Sequence, residues 1–245
     1  LMAGKAFRAP SIYELYYNDN GATQLPGCNP DCSLKPETIY SAELEHTHHF
    51  SEEWSLLGAL YVSRLTDLIA LRATPADPNV SQYANTVQPV RSMGAETELR
   101  REWRNGVFFS ANYAIQRTSY EQDDSLPADQ RLREVPNSPI HSGGLRLSLP
   151  LIARALRLSV RVSAESGRFN RNDQPDTGSQ VRTAAFGLID LVLSGELPDA
   201  HLRWSAGLYN AADYAWNVPL SPEFGTLATS PEAGRTFVAQ LTFTH

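Results

Sequence analysis

Apolar and polar residues alternate with a period of two through most of the chain. Leu156, Leu158, Val160 and Val162 alternate with Arg157, Ser159, Arg161 and Ser163, and Leu202, Trp204, Ala206 and Leu208 alternate with His201, Arg203, Ser205 and Gly207. The last segment sets Phe237, Ala239, Leu241 and Phe243 against Val238, Gln240, Thr242 and Thr244. Successive side chains of a strand point to opposite faces, so this pattern predicts strands with one apolar and one polar face. Ten are predicted, at about 2–7, 39–50, 54–70, 80–103, 106–120, 138–150, 154–168, 181–196, 200–210 and 234–245. Many exceed the usual five or six residues, and a strand of 13 residues runs to roughly 43 Å, too long for an ordinary sandwich.

The connections fall into two classes that alternate. Short turns lie at Ser51–Glu53, Arg104–Asn105, Leu151–Ala153 and Leu197–Asp199; long polar loops lie at about 8–38, 71–79, 121–137, 169–180 and 211–233. Segregated loop lengths of this kind are the habit of outer-membrane barrels, with short turns at one end and large loops at the other. Glu43, Glu96, Glu98, Arg157, Arg161 and Arg203 share the polar phase, which suits a wet lumen. The opposite phase suits lipid: Leu99, Phe109, Leu145, Leu147, Ile189 and Leu191 lie there. Tyr40, Phe50, Trp54, Trp103, Tyr120 and Phe169 fall near strand ends, where an aromatic girdle belongs. In hydrocarbon every backbone polar group must be paired, so spanning strands have to close into a barrel. A soluble two-sheet protein is the alternative that periodicity leaves open.

Composition narrows the function classes. The 245 residues carry 21 Lys+Arg against 27 Asp+Glu, a net charge of −6, so phosphate backbones and hence nucleic acids are poor partners. The longest apolar-rich run, Trp54–Ser63, is about half the roughly 18 residues of a membrane helix. The opening LMAGKAFRAPS has no apolar signal core, which leaves a cytoplasmic protein or a fragment. Cys28 and Cys32 are separated by three residues in GCNPDC, with no further ligands nearby for zinc. They make a local disulfide or a pair of free thiols, and a disulfide places the loop outside the reducing cytosol.

The strings GKAFRAPSIYELYY (4–17) and NPDCSLKPETIYSAELEH (29–46) resemble the TonB-dependent outer-membrane receptors, in which an FRAPS-x-x-ELY segment ends one barrel strand and an N-P-x-L-K-P-E segment opens the next. Phe7, Arg8, Ala9, Pro10, Ser11, Glu14, Leu15 and Tyr16 match the first; Asn29, Pro30, Leu34, Lys35, Pro36 and Glu37 match the second, with Asp31, Cys32 and Ser33 where the tightest form has one Asn. The resemblance continues through YVSRLTDLIAL (61–71), QYANTVQPVRSMGAETELR (82–100), VPNSPIHSGGLRLSLPL (135–151) and LYNAADYAW (208–216). It implies an all-β, transmembrane antiparallel barrel segment over residues 1–245, about ten of 22 strands, with the plug domain absent. It further implies a receptor in the outer membrane of a Gram-negative cell that takes up a scarce ligand, a ferric siderophore or similar metal chelate. Its partners are then the TonB complex, reached through the plug, and outer-membrane lipid. A passive porin or adhesin barrel is the alternative. The family usually ends on an aromatic, and His245 stands in that place.

No residues single out an enzyme: there is no G-x-S-x-G, no H-E-x-x-H and no P-loop. Among His46, His48 and His49, only His46 and His48 share a strand face, beside a short turn, which points to an interfacial role before a metal site. Residues 11–28 lack the histidine that haem receptors of the family carry between the two motifs, so neither a metal nor a cofactor is expected. Ligand capture is expected in the long loops, by Tyr16 and Tyr17, by Arg168, Phe169 and Arg171, and by Trp216, with Phe224 nearby. Aromatic rings and guanidinium groups of this kind stack on and pair with an anionic chelate.

Overall fold

A computed structural model describes residues 1–19, 23–25, 34–74, 77, 79–126, 135–153, 155–170, 181–220 and 229–243. Cys28, Cys32, Arg171, Phe224 and His245 lie outside the described residues. Ten long strands form one sheet: β1 (Met2–Arg8), β2 (Glu37–His49), β3 (Trp54–Thr66), β4 (Val90–Glu102), β5 (Phe108–Tyr120), β6 (His141–Ile152), β7 (Leu156–Glu165), β8 (Phe186–Leu197), β9 (Leu202–Tyr209) and β10 (Thr236–Phe243). Their order in the sheet is their order in the chain, so each strand pairs with its sequence neighbours and the topology is a pure meander. Short turns and long connections alternate between them, as the sequence predicts.

The chain divides into two compact units, one made of Leu1–Leu44, Tyr61–Met93 and Thr118–Val135, the other of Glu45–Leu60, Gly94–Arg117 and Pro136–His245. In the second unit the antiparallel registers align like with like. Phe109, Leu147, Val160, Leu191, Leu208 and Phe237 stand opposite one another in turn, a six-strand apolar row. Ala111, Leu145, Val162 and Ile189 form the next row on the same face. On the other face Ser110, Arg146, Arg161 and Asp190 are aligned. A slip of one residue would exchange the two faces completely, so this agreement across six strands fixes the register. The apolar rows are not a core: Leu145 is 50% exposed and Phe237 69%.

Three departures from the predicted strands have local causes. The strand predicted over 54–70 ends at Thr66, because Asp67 takes a left-handed conformation (φ 57°); the chain resumes as Ile69–Ala73, which pairs with Ser81–Asn85 in a separate three-stranded sheet with Thr23–Gln24. The strand predicted over 80–103 is interrupted before Val90, where Pro89 has no N–H to give a ladder and Thr86 donates through its hydroxyl to the Gln88 carbonyl at 3.2 Å. The strands predicted over 154–168 and 181–196 leave the regular ladder at 166–168 and 183–185, where the Thr183 N–H still donates to the Arg168 carbonyl at 2.9 Å. There a Cβ on Gly167 would lie 2.1 Å from the Thr183 carbonyl oxygen, a crossing that only glycine permits.

Candidate functional site

In the first unit the two sequence motifs meet at the loop end of β1 and β2. Ser11 caps a short helix, α1 (Ile12–Tyr16), and Glu14 returns the bond to the Ser11 N–H, completing a capping box. The Arg8 guanidinium pairs with both oxygens of Glu14, at 2.9 Å each, and through Nε with Glu37 Oε2 at 2.6 Å. The other Glu37 oxygen accepts the Ile69 N–H at 2.8 Å. One arginine therefore ties a strand end, a helix cap and the start of the next strand together. The hydrogen bonds from Arg8 hold the Glu14 carboxyl down at about 2, against the desolvation that opposes them. Beside this knot, Asn85 donates to the Lys35 and Asp67 carbonyls, at 2.9 and 2.6 Å, and accepts the Lys35 N–H at 2.7 Å.

Of the residues expected to capture ligand here, Tyr16 is 71% exposed, whereas Tyr17 stacks on Tyr13 with ring centroids 4.3 Å apart. Tyr13 in turn meets Tyr83 edge-on at 6.1 Å. Just beyond β5, Glu121 is held below the ordinary carboxylate range by Arg64, which donates to both its oxygens at 2.8 Å.

In the second unit Phe169 is 5% exposed, with the Arg182 guanidinium 5.6 Å from its ring centre. Arg168 is paired with Glu165 and donates to Asn137 Oδ1 at 3.0 Å. Trp216 stacks on Phe186, with centroids 4.1 Å apart and planes inclined by 29°. These rings lie beside a cavity of about 210 Å³ lined by Arg182, Thr183, Tyr214, Trp216, Asn217 and Thr229. Arg182, Phe186 and Tyr214 were not singled out by the sequence; the aromatic pairing of Phe186 with Trp216 spans thirty positions and has no local signal. On the polar face Arg161 holds buried Asp190 through Nε at 2.8 Å, and Asp190 also accepts the Asn210 N–H at 2.9 Å.

His46 and His48 share a face with ring centroids 6.2 Å apart, and His48 packs edge-on against Phe50. Among the described residues no group of three or more His, Cys, Asp or Glu is placed to hold a metal ion. No described helix is long and apolar enough to cross a membrane, which says nothing of strands.

Residues 2–211 match the family model described as TonB dependent receptor-like, beta-barrel. No curated protein matches the chain in sequence. Among solved structures, the chain is similar to the copper transporter OprC (TM-score 0.73, 19% identity, 99% of this chain and 36% of that one). It is also similar to the ferric-catecholate import receptor Fiu from E. coli K12 (0.70, 14%, 98% and 31%) and the siderophore receptor PirA from Acinetobacter baumannii (0.69, 14%, 98% and 38%). The chain thus spans about a third of the length of the solved receptors it matches.

Proposed function

Because the chain belongs to the TonB-dependent receptor β-barrel family, we propose that residues 1–245 form one segment of an outer-membrane receptor that imports a scarce metal chelate with energy delivered through TonB. The family match over residues 2–211 carries this reading. In it the apolar face meets lipid, the polar face lines the lumen, and the long connections face the cell exterior. Among the described residues, β1 and β10 each pair on one side only. Open edges leave backbone groups that hydrocarbon cannot satisfy, so in this reading further strands cover them. Cys28 and Cys32 close a small ring in the first long loop.

The ligand is a ferric siderophore or a chelate of similar size and charge, met first by the loops. Tyr16, Tyr17, Arg168, Phe169, Arg171 and Trp216 are the candidate contacts. The geometry favours Trp216 and the cavity beside it, which Tyr214 and Arg182 also line. Such a wall suits a planar anionic group, through stacking and cation–π attraction. The neighbours, a copper transporter, a ferric-catecholate import receptor and a siderophore receptor, support the ligand class and leave its member open.

Uptake of radiolabelled ferric chelates by cells making the full-length receptor tests this. Accumulation that disappears when TonB is deleted is the expected result; accumulation independent of TonB belongs to a passive porin and would reject the reading. Trp216→Ala should raise the half-saturating chelate concentration about tenfold, the usual cost of truncating an aromatic anchor.

A further inference from the structure

We propose that the apolar face carries, at the loop end of β1–β4, a docking site for the phosphate-bearing headgroup of a membrane lipid, built from Lys5, Arg64 and Arg91 beside Tyr40. The inference rests on the reading that this face meets lipid, and the test below separates the two. Parity places the residues. Lys5 stands opposite Tyr40, and Tyr40 shares its face of β2 with Leu44, which is 51% exposed. Arg64 shares its face of β3 with Leu60 and Val62, and Arg91 shares its face of β4 with Met93, all exposed apolar side chains. Charged groups thus stand among exposed apolar side chains at this end of the face.

The cluster is continuous and lies within one compact unit. The Lys5 ammonium is 5.2 Å from the centre of the Tyr40 ring, Tyr40 lies within electrostatic reach of Arg64, Arg64 grips both oxygens of Glu121, and Arg91 lies within reach of the same carboxylate. Two of the three cations, Arg64 and Arg91, therefore share one anion. Lys5 and Arg91 form no ion pair among the described residues, so the cluster keeps an excess of positive charge.

Its height along the strand identifies the occupant. Trp54, an interfacial aromatic at the turn end of β3, and Arg64 are ten residues apart on one strand; at about 3.3 Å per residue and a tilt of about 40°, they differ in height by roughly 25 Å. That is the height of the apolar band of an outer-membrane barrel. Arginine is costly on the lipid face at the midplane and tolerated at the interface, so the cluster lies at headgroup level on the loop side. Tyr40 supplies the amphipathic ring usual at that depth. A phosphorylated lipid meets all three requirements: phosphate for the guanidinium and ammonium groups, chains for the flanking apolar surface, and a position at the border of the two. Free phosphate or an acidic protein offers the charge without the chains.

The test uses the intact receptor purified in detergent, with native mass spectrometry to count retained molecules of lipid A, a diphosphorylated glycolipid. The double variant Lys5→Gln/Arg91→Gln breaks no ion pair of the described structure. Each basic residue near an anionic surface strengthens binding about fivefold, so retention should fall about 25-fold, while Arg146→Gln on the polar face leaves it unchanged. Dephosphorylated lipid A should bind wild type and double variant equally, and excess inorganic phosphate should not displace the lipid. Unchanged retention in the double variant, equal loss in Arg146→Gln, or displacement by free phosphate would overturn the site. A fluorophore at Leu60 in bilayers with brominated acyl chains reports the face itself. Quenching there together with unchanged retention rejects the docking site alone, and no quenching rejects the lipid-facing assignment and the site with it.

Discussion

The apolar rows of β5–β10 and the polar knot at the loop end of β1 and β2 hold their residues in place by opposite means. Phe109, Leu147, Val160, Leu191, Leu208 and Phe237 are apolar neighbours in register, with Phe237 69% exposed; such a row is favourable when an apolar medium covers it. Arg8, Glu14 and Glu37 satisfy one another within the chain, whatever surrounds them. The difference teaches that, on the proposed reading, the wall takes its stability from the surrounding lipid, while the loop bases supply their own.

The sharpest way to break this contrast is Val160→Arg. Near the midplane it should cost roughly 2 to 4 kcal/mol of folding free energy in bilayers, read as the denaturant dependence of refolding of the full-length receptor. Arg146→Ser, one residue from Leu147 on the other face, should stay within about 0.5 kcal/mol. Arg161 is a poorer control, because removing it strands the buried Asp190 carboxylate with only the Asn210 N–H. Equal costs for Val160→Arg and Arg146→Ser would mean that both faces see the same medium.

Glu37→Ala should come next, at about 2 kcal/mol. It leaves the Ile69 N–H without its acceptor and removes one of the two anions that Arg8 pairs with. Hydrogen exchange should show the loss at Ile69 and around α1, with the amides of β7 and β8 unchanged. Faster exchange throughout β7 and β8 would show that the knot is not self-contained.

The smallest effect is a pH dependence. In the folded chain the Glu14 carboxyl titrates at about 2, against an ordinary 4.5, because Arg8 donates to it. The unfolded chain binds the proton more readily, so the stabilisation is complete above about pH 4.5 and is lost as the pH falls toward 2. Protection of the α1 amides should be level from pH 7 to 5 and decline below 4.5, with a smaller decline in Glu14→Gln. A decline centred near neutral pH would place the switch elsewhere.

What the sequence made legible follows the same division. Ten strands, their order of short and long connections, and the two faces were readable because period-two alternation is a local signal repeated in every strand. The helix Ile12–Tyr16 was legible in principle through its Ser11-x-x-Glu14 capping box, yet it lies inside a segment read as a loop. The motif residues Arg8, Ser11, Glu14 and Glu37 carried the family resemblance without disclosing that their work is to bind one another. Phe169 and Arg168 fit the chemistry of a ligand contact; the burial of Phe169 and the pairing of Arg168 with Glu165 arise beside the close approach of Gly167 to Thr183, which no spacing reveals.

Asn85 has a wider meaning. By fastening the Asp67 and Lys35 carbonyls at the point where β3 leaves the wall, and with Asp67 turning the chain out through a left-handed residue, it closes the base of everything between Ile69 and Asn85. A hairpin hung from such a clasp can lengthen, shorten or change its tip without passing a register shift into the strands beneath. The wall and the hairpin that leaves it are thereby inherited as separate parts, and natural selection can rewrite one while the other stands still.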